Sequence, residues 1–182
     1  MGFEIWLLTG IYSLIGKSLF LDGLIRAFAV YLPYTIIGGA LWFFLRRSWK
    51  ESAYGFCFAL LALILSRGII TELIRVFYDR PRPFQELNFT PLFLESTGSF
   101  PSGHAAFFFA LAFVIMMFDK KIGWLFISLA FLNGVARVMA GVHWPTDIIG
   151  GMLVALLAFW ITYKLIGKER FVLLSQKTTT VA

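Results

Sequence analysis

Long apolar stretches separated by short polar connections organise this chain. A membrane-spanning helix needs about 20 mostly apolar residues, because each residue adds 1.5 Å against a hydrocarbon layer of about 30 Å. Stretches that reach or approach this length run over residues 27–45, 52–74, 103–118, 122–140 and 146–166. The pattern therefore predicts about five transmembrane helices.

The beginning of the chain has a different pattern. Residues 3–21 are apolar but are interrupted by Glu4, by Lys17 and by the sequence Gly-Ile-Tyr-Ser. Such a segment is typical of a helix that lies in the membrane interface, which we expect for residues 1–25. The fold class is therefore all-α, a polytopic membrane helical bundle, with residues 1–182 as a single membrane-embedded domain.

Composition and charge support a membrane protein and give it an orientation. The chain is 59% hydrophobic and carries a net charge of +6 from 16 basic and 10 acidic residues, which excludes an ordinary water-soluble domain. Connections after the first, third and fifth spans share one side, which the positive-inside rule makes cytoplasmic, including the tail 171–182. Nine basic residues lie there: Arg46, Arg47, Lys50, Lys120, Lys121, Lys164, Lys168, Arg170 and Lys177. We expect a multi-pass protein of the cytoplasmic membrane with no nucleic-acid partner.

The opposite, outward side carries the chemically interesting residues, in the loops 75–101 and 141–145. Both histidines of the chain, His104 and His143, lie in or next to these loops. Histidine is the usual side chain for proton transfer and nucleophilic attack near neutral pH. The alternative is that both histidines are amphipathic anchors at the membrane interface.

Four arginines fall on the same side, where topology gives no reason to collect cations. They are Arg75, Arg80, Arg82 and Arg137. A guanidinium offers a planar fork of donors that matches phosphate oxygens, and it stays charged at any working pH. The group predicts an anion site, with binding of anionic lipid headgroups without turnover as the alternative.

Two helix starts flank this anion site. Ser102 is placed to cap the helix at 103–118, whose first backbone N–H groups are suited to a phosphate, and Gly103 permits its close approach. Pro145 predicts the start of the last helix, with Asp147 in its first turn and within reach of His143. Asp147 would then accept the Nδ1 proton of His143 and leave Nε2 as a nucleophile. An ordinary capping turn and an acidic residue favoured by the helix dipole are the simpler alternatives.

Together these motifs resemble the type 2 phosphatidic acid phosphatase family, the membrane relatives of the vanadium haloperoxidases. That family has a basic residue, six intervening positions and then Arg-Pro, followed later by Pro-Ser-Gly-His, and then by Ser-Arg, five positions, His, three positions and Asp. The corresponding residues here are Arg75 and Arg82-Pro83, residues 101–104, and Arg137, His143 and Asp147. Choosing Arg80-Pro81 instead would place Leu73 at the first basic position. Arg75 replaces the common Lys, and Ala136 replaces the common Ser.

The resemblance implies a mechanism and assigns the roles. His143 would attack phosphorus to form a phosphohistidine, Asp147 would orient it, and His104 would protonate the leaving group and later activate water. The phosphoryl oxygens would be held by Arg75, Arg82, Ser102, Gly103 and Arg137. We expect no metal and no cofactor, since the acidic residues of the outward loops besides Asp147 are scattered: Asp79, Glu86 and Glu95.

The expected substrate is a lipid phosphate whose tail stays in the bilayer. A short chain with PRPF and PSGH on the outer face resembles the bacterial undecaprenyl diphosphate phosphatases. Activity on phosphatidylglycerophosphate or phosphatidic acid is the nearest alternative, and a non-catalytic lipid-binding or transport protein is the alternative of another class. Arg67, within the second span, would either extend the site toward a second phosphate or pair structurally with Glu72, and we favour the structural role.

Overall fold

The computed structural model describes residues 2–13 and 15–179, and it describes the backbone alone at residues 2, 3, 7 and 168–179. All regular structure in these residues is helical. In chain order the helices are α1 (Gly2–Tyr12), α2 (Leu19–Leu45), α3 (Trp49–Phe77), the short α4 (Pro83–Glu86), α5 (Gly103–Phe118), α6 (Lys120–Met139) and α7 (Pro145–Thr179). Helices α2, α3, α6 and α7 are long and apolar enough to cross a membrane, and α5 is a shorter apolar helix. The expected all-α membrane bundle is thus confirmed.

The predicted bounds need two corrections. The first span begins at Leu19 rather than at residue 27, so the separate N-terminal helix is α1 instead of residues 1–25. The charged residues Asp22 and Arg26 made the first turns of α2 look too polar for a membrane span. In the folded protein both charged side chains have hydrogen-bond partners: Asp22 accepts from the Gly16 N–H, and Arg26 donates to the Leu92 carbonyl at 2.7 Å.

The end of the chain also differs from the expectation. The last helix continues through residues 171–179 of the expected tail, and residues 180–182 lie outside the described residues. The side chains of Lys168, Arg170 and Lys177, which contributed to the predicted orientation, lie outside the described residues as well.

Helix α5 forms the centre of the bundle although it is the shortest of the five. Most of its side chains are buried, from Ala105 to Ile115. Small residues of the neighbouring helices allow close contact: a Cβ at Gly123 would meet backbone atoms of Met116, and a Cβ at Gly151 would meet the Ser102 carbonyl oxygen. This is the packing expected where helices associate in lipid. It fixes the N-terminus of α5 against the start of α7.

Two helices contain a π-helical segment, and neighbouring helices satisfy the displaced backbone groups. In α2 the segment Ala27–Tyr31 precedes Pro33, which has no N–H, and Asn133 of α6 donates to the carbonyls of Phe28 and Ala29 at 2.8 and 3.2 Å. In α3 the segment is Ile64–Ile70, where the Ser66 hydroxyl donates to the Ala106 carbonyl of α5 at 2.8 Å. Both segments border the cavity described next.

Candidate active site

A cavity of about 550 Å³ opens among α2, α3, α5, α6 and the two connecting loops at one end of the bundle. Its polar lining comprises Arg67, Arg75, Arg82, Glu95, Thr97, Gly103, His104, Arg137 and His143. Six of the eight predicted site residues are in this lining. The other two, Ser102 and Asp147, are completely buried behind it and contact His143. The structure therefore brings the three separated sequence motifs together at one place.

His143 lies between Asp147 and Ser102. Its Nδ1 atom is 3.3 Å from Asp147 Oδ2, and its Nε2 atom is 3.3 Å from the Ser102 hydroxyl oxygen. A proton on Nδ1 would be donated to the carboxylate, which leaves the Nε2 lone pair facing Ser102 and the cavity. Burial lowers the pKa of His143 to about 4, although the hydrogen bond to Asp147 by itself would raise this pKa. The imidazole is therefore neutral at physiological pH, the form that a nucleophile requires.

Asp147 is held by more donors than the sequence indicated. Its Oδ2 accepts from the Ser99 hydroxyl at 2.5 Å and the Trp144 N–H at 2.8 Å, besides facing His143. Its Oδ1 accepts from Arg80 Nη1 at 2.9 Å. Neither Ser99 nor Arg80 was assigned this role, because 48 and 67 residues separate them from Asp147 in the chain.

Arg80 is one of the four arginines on the expected outward side but is not assigned to the phosphate, and it lies behind the cavity and not in its lining. Besides Asp147 it contacts the Thr146 hydroxyl at 2.6 Å and Glu4 of α1 at 3.2 Å. Glu4 also accepts from the Thr146 N–H at 3.2 Å. The N-terminal helix is thereby tied to the ion pair that supports Asp147.

Arg82, whose spacing from Arg75 fits the family motif better than that of Arg80, lines the cavity and contacts both connecting loops. Its Nε donates to the Thr97 carbonyl at 2.8 Å and its Nη1 to the Val142 carbonyl at 2.6 Å. Burial lowers the pKa of Arg82 to about 10, so it keeps its charge at neutral pH. Its side chain is rigidly positioned before any anion arrives.

Glu95 is a site residue that sequence reasoning missed. Its carboxylate bonds to Arg137 Nη2 and lies 3.6 Å from Arg82 Nη2. Burial works to raise the pKa of the Glu95 carboxyl, but Arg137 and Arg82 outweigh it and leave this pKa below its usual value. Only its proximity to the arginines in space identifies it, since it lies 42 residues from Arg137.

Arg75 and Arg67 form a second group with Glu72. Arg75 donates to Glu72 at 3.2 Å and to the Pro101 carbonyl at 3.0 Å, and Arg67 bonds to the same Glu72 oxygen. The expected structural pairing of Arg67 is therefore present. Arg67 nevertheless also lines the cavity.

The beginning of α5 has the predicted cap and an unpredicted neighbour. The Ser102 hydroxyl accepts from the Ala105 N–H at 3.4 Å, as expected of a capping residue. A Cβ on Gly103 would lie 2.5 Å from Arg67 Nε. An alanine here would therefore require the Arg67 side chain, which packs on the helix start, to shift, a relation that the sequence did not reveal.

Two of the arginines that line the cavity have a buried donor without a protein partner. The Nε atoms of Arg75 and Arg137 are buried and have no hydrogen-bond acceptor among the described residues. A buried donor without an acceptor costs about 1–3 kcal/mol. Among the side chains that the structure describes, no three of His, Cys, Asp or Glu come together in a group that could hold a metal ion.

The sequence of this chain is similar to those of known proteins. The model of the PAP2 superfamily matches residues 55–171. Bacitracin transport permease protein BcrC of Bacillus licheniformis is 32% identical over 151 residues, which cover 80% of this chain and 73% of that protein. Undecaprenyl-diphosphatase BcrC of Bacillus subtilis is 27% identical over 168 residues, covering 90% of this chain and 83% of that protein.

A solved structure gives a similar result. The crystal structure of Aquifex aeolicus LpxE has a TM-score of 0.71 and 29% sequence identity to this chain, and the match covers 87% of this chain and 93% of LpxE.

Proposed function

The chain belongs to the PAP2 superfamily, and on this premise we propose that it is a metal-independent lipid phosphatase that converts undecaprenyl diphosphate to undecaprenyl phosphate. One observation carries the proposal. The neutral His143 is held between a buried carboxylate and the Ser102 hydroxyl, at the wall of a cavity lined by four arginines.

In this proposal His143 is the nucleophile. Its Nε2 lone pair attacks the terminal phosphorus while the opposite P–O bond breaks, which forms a phosphohistidine. The imidazole becomes positively charged in this step, and the adjacent Asp147 carboxylate stabilises that charge. The bonds from Ser99, Trp144 and Arg80 to Asp147 support the role, because they fix the carboxylate in one orientation.

Arg75, Arg82 and Arg137 would bind the phosphoryl oxygens together with Ser102 and Gly103. The position of all three arginines in the cavity lining, together with Gly103 and His143, supports this assignment. Preorganised cations act on charge that develops in the transition state and need no reorganisation when it forms. The phosphate would take the place of Glu95 as the partner of Arg137. The surplus of guanidinium groups also disfavours a bound metal cation, in agreement with a metal-independent reaction.

His104 would serve as general acid and then as general base. It lies in the first turn of α5 and lines the same cavity as His143. In the first step it would donate a proton to the leaving group, and in the second it would take a proton from the water that hydrolyses the phosphohistidine.

The rest of the cavity supports a lipid substrate. Its other wall is apolar and consists of residues of α2 and α5: Ala29, Val30, Pro33, Tyr34, Ile37, Phe107 and Phe108. Charged and apolar walls in one cavity suit a charged headgroup attached to a hydrocarbon tail. The undecaprenyl substrate is favoured because a relative that aligns with 90% of this chain has that activity in its name. The positive-inside orientation would place this cavity on the outer face of the cytoplasmic membrane.

The test is phosphate release by the purified protein in detergent with excess chelator. We expect turnover of undecaprenyl diphosphate faster than of phosphatidylglycerophosphate, inhibition by vanadate, and no turnover by His143→Ala. Acid-labile label from substrate carrying radioactive terminal phosphate should be trapped on the wild type and not on His143→Ala. Glu86→Gln, an exposed change outside the cavity in the same loop, is the control and should remain active.

Three results would contradict the proposal at different points. Dependence on a metal would exclude the mechanism. Preference for phosphatidylglycerophosphate would exclude the substrate. Absence of turnover with every lipid phosphate would exclude the enzyme and favour a lipid-binding or transport protein.

A further inference from the structure

The four arginines that line the cavity belong to two similar arrangements of charge. In each, one carboxylate bridges two arginines: Arg82–Glu95–Arg137 on the side of the loops, and Arg67–Glu72–Arg75 on α3. We call these the loop group and the α3 group. Catalysis on a single phosphoryl group explains the loop group and Arg75, and it does not require Arg67.

The position of Arg67 is fixed by three features of the fold. It lies in the π-helical segment Ile64–Ile70, whose wider turn lets it pair with Glu72 five residues later. The Ser66 hydroxyl attaches this segment to α5 by its bond to the Ala106 carbonyl. Gly103 leaves the space that the Arg67 guanidinium occupies. π-Helical turns of this kind are frequent at functional sites.

Arg67 lies beside the start of α5. Its Nε atom is next to Gly103, and its charge acts on the imidazole of the following residue, His104, whereas the charges on His143 come from Arg137, Arg82 and Asp147. His104 is the group proposed to serve the leaving group, whereas His143 attacks. A cation that acts on His104 would face the part of the substrate that departs.

From this placement we infer that Arg67, assisted by Arg75, binds the second phosphoryl group of a lipid diphosphate, the one that leaves with the lipid. The inference rests on the proposed function. As His143 Nε2 bonds to the terminal phosphorus, the bond from that phosphorus to the bridging oxygen breaks. The bridging oxygen and its electron pair depart with the lipid phosphate, and Arg67 offsets the added negative charge, while His104 supplies the proton.

A lipid monophosphate has no second phosphoryl group, since its leaving group is an alcohol. Arg67 would therefore contribute to turnover of a diphosphate and little to turnover of a monophosphate. Its pairing with Glu72 is then the resting arrangement, and the second phosphoryl group would replace Glu72 as the partner of Arg67.

The experiment compares farnesyl diphosphate with farnesyl monophosphate, which share one tail. Arg67→Met keeps the length of the side chain and removes its charge. It should lower the ratio of kcat/KM for the diphosphate to kcat/KM for the monophosphate by about 10- to 100-fold, the effect of losing one charge-assisted hydrogen bond. Arg67→Lys, which keeps the charge, should retain part of the ratio.

A matched control is Arg46→Met. Arg46 is exposed, stacks on Trp42 4.2 Å away, and lies nine residues beyond Ile37, the last cavity-lining residue of α2. This variant should leave both activities at the wild-type level.

A second readout needs no turnover. Inorganic pyrophosphate should raise the unfolding temperature of the wild type more than orthophosphate at equal concentration, and Arg67→Met should reduce that difference. Equal loss of both activities, with no change in the pyrophosphate effect, would assign Arg67 a structural role and overturn the inference. A wild type that hydrolyses neither farnesyl compound and no other lipid phosphate would instead overturn the proposed function.

Discussion

Gly151 allows a sharp test of how the helix contacts position the proposed catalytic residues. In the structure it faces the N-terminus of α5, and a Cβ at this position would lie 2.6 Å from both the Ser102 carbonyl oxygen and the Ala105 Cβ, and 3.0 Å from the Ala106 nitrogen. Two of these are backbone atoms, which cannot rotate away. Gly151→Ala must therefore separate the starts of α5 and α7.

The size of that displacement follows from the contact distances. Moving the new Cβ from 2.6 Å to an ordinary contact at 3.4 Å requires a shift of about 0.8 Å. The Ser102 N–H donates to the Asp147 carbonyl one turn earlier on α7 at 3.0 Å, and the same shift would stretch this bond to about 3.8 Å, beyond hydrogen-bond length. Since errors near 1 Å in a reacting geometry cost about 100-fold, we expect kcat to fall by about 10- to 100-fold.

The measurements are phosphate release and thermal unfolding in the same detergent. The added methyl group should also destabilise the protein by about 1–3 kcal/mol, as overpacking does. Gly38→Ala is the control, because a Cβ at Gly38 meets no atom within 4 Å and alanine favours a helix. Wild-type kcat for Gly151→Ala, or an equal loss for Gly38→Ala, would refute the reasoning.

Three further predictions concern the ion pair behind the site, the nucleophile and the topology. Arg80→Met should lower the free energy of unfolding by about 2–3 kcal/mol. This is less than the about 3–5 kcal/mol expected when a buried ion pair is broken, because Asp147 keeps its bonds from Ser99 and Trp144. An unchanged unfolding temperature would contradict this prediction. With the pKa of His143 lowered to about 4 by burial, protonation of the proposed nucleophile should lower kcat/KM only as the pH drops through about 4, so an acid limb near the ordinary 6.5 would contradict the burial of a neutral imidazole. In a Cys57→Ala background, Glu86→Cys should react with an impermeant thiol reagent on intact cells, and reaction only after permeabilisation would reverse the proposed orientation.

The features that the sequence predicted well depend on neighbours along the chain. Helix α5 begins and ends at the predicted residues, because Ser102 caps its start and an apolar run fills its length. Asp147 meets His143 because four residues separate them across a predicted helix start. The predicted start of α2 lies eight residues after the observed start at Leu19. The sequence could not show that Asp22 and Arg26 have hydrogen-bond partners, because those partners lie outside the helix.

The sequence by itself determined the helical membrane fold and the composition of the site, because hydrophobic length and motif spacing are local properties. Only the tertiary structure decided which charges face one another. It placed Glu95 between Arg82 and Arg137, and it put Arg67 against Gly103. These contacts arise where distant segments pack around α5, and no spacing rule along the chain encodes them. A net charge of +6 thus includes, in the folded protein, four arginines ordered around one cavity.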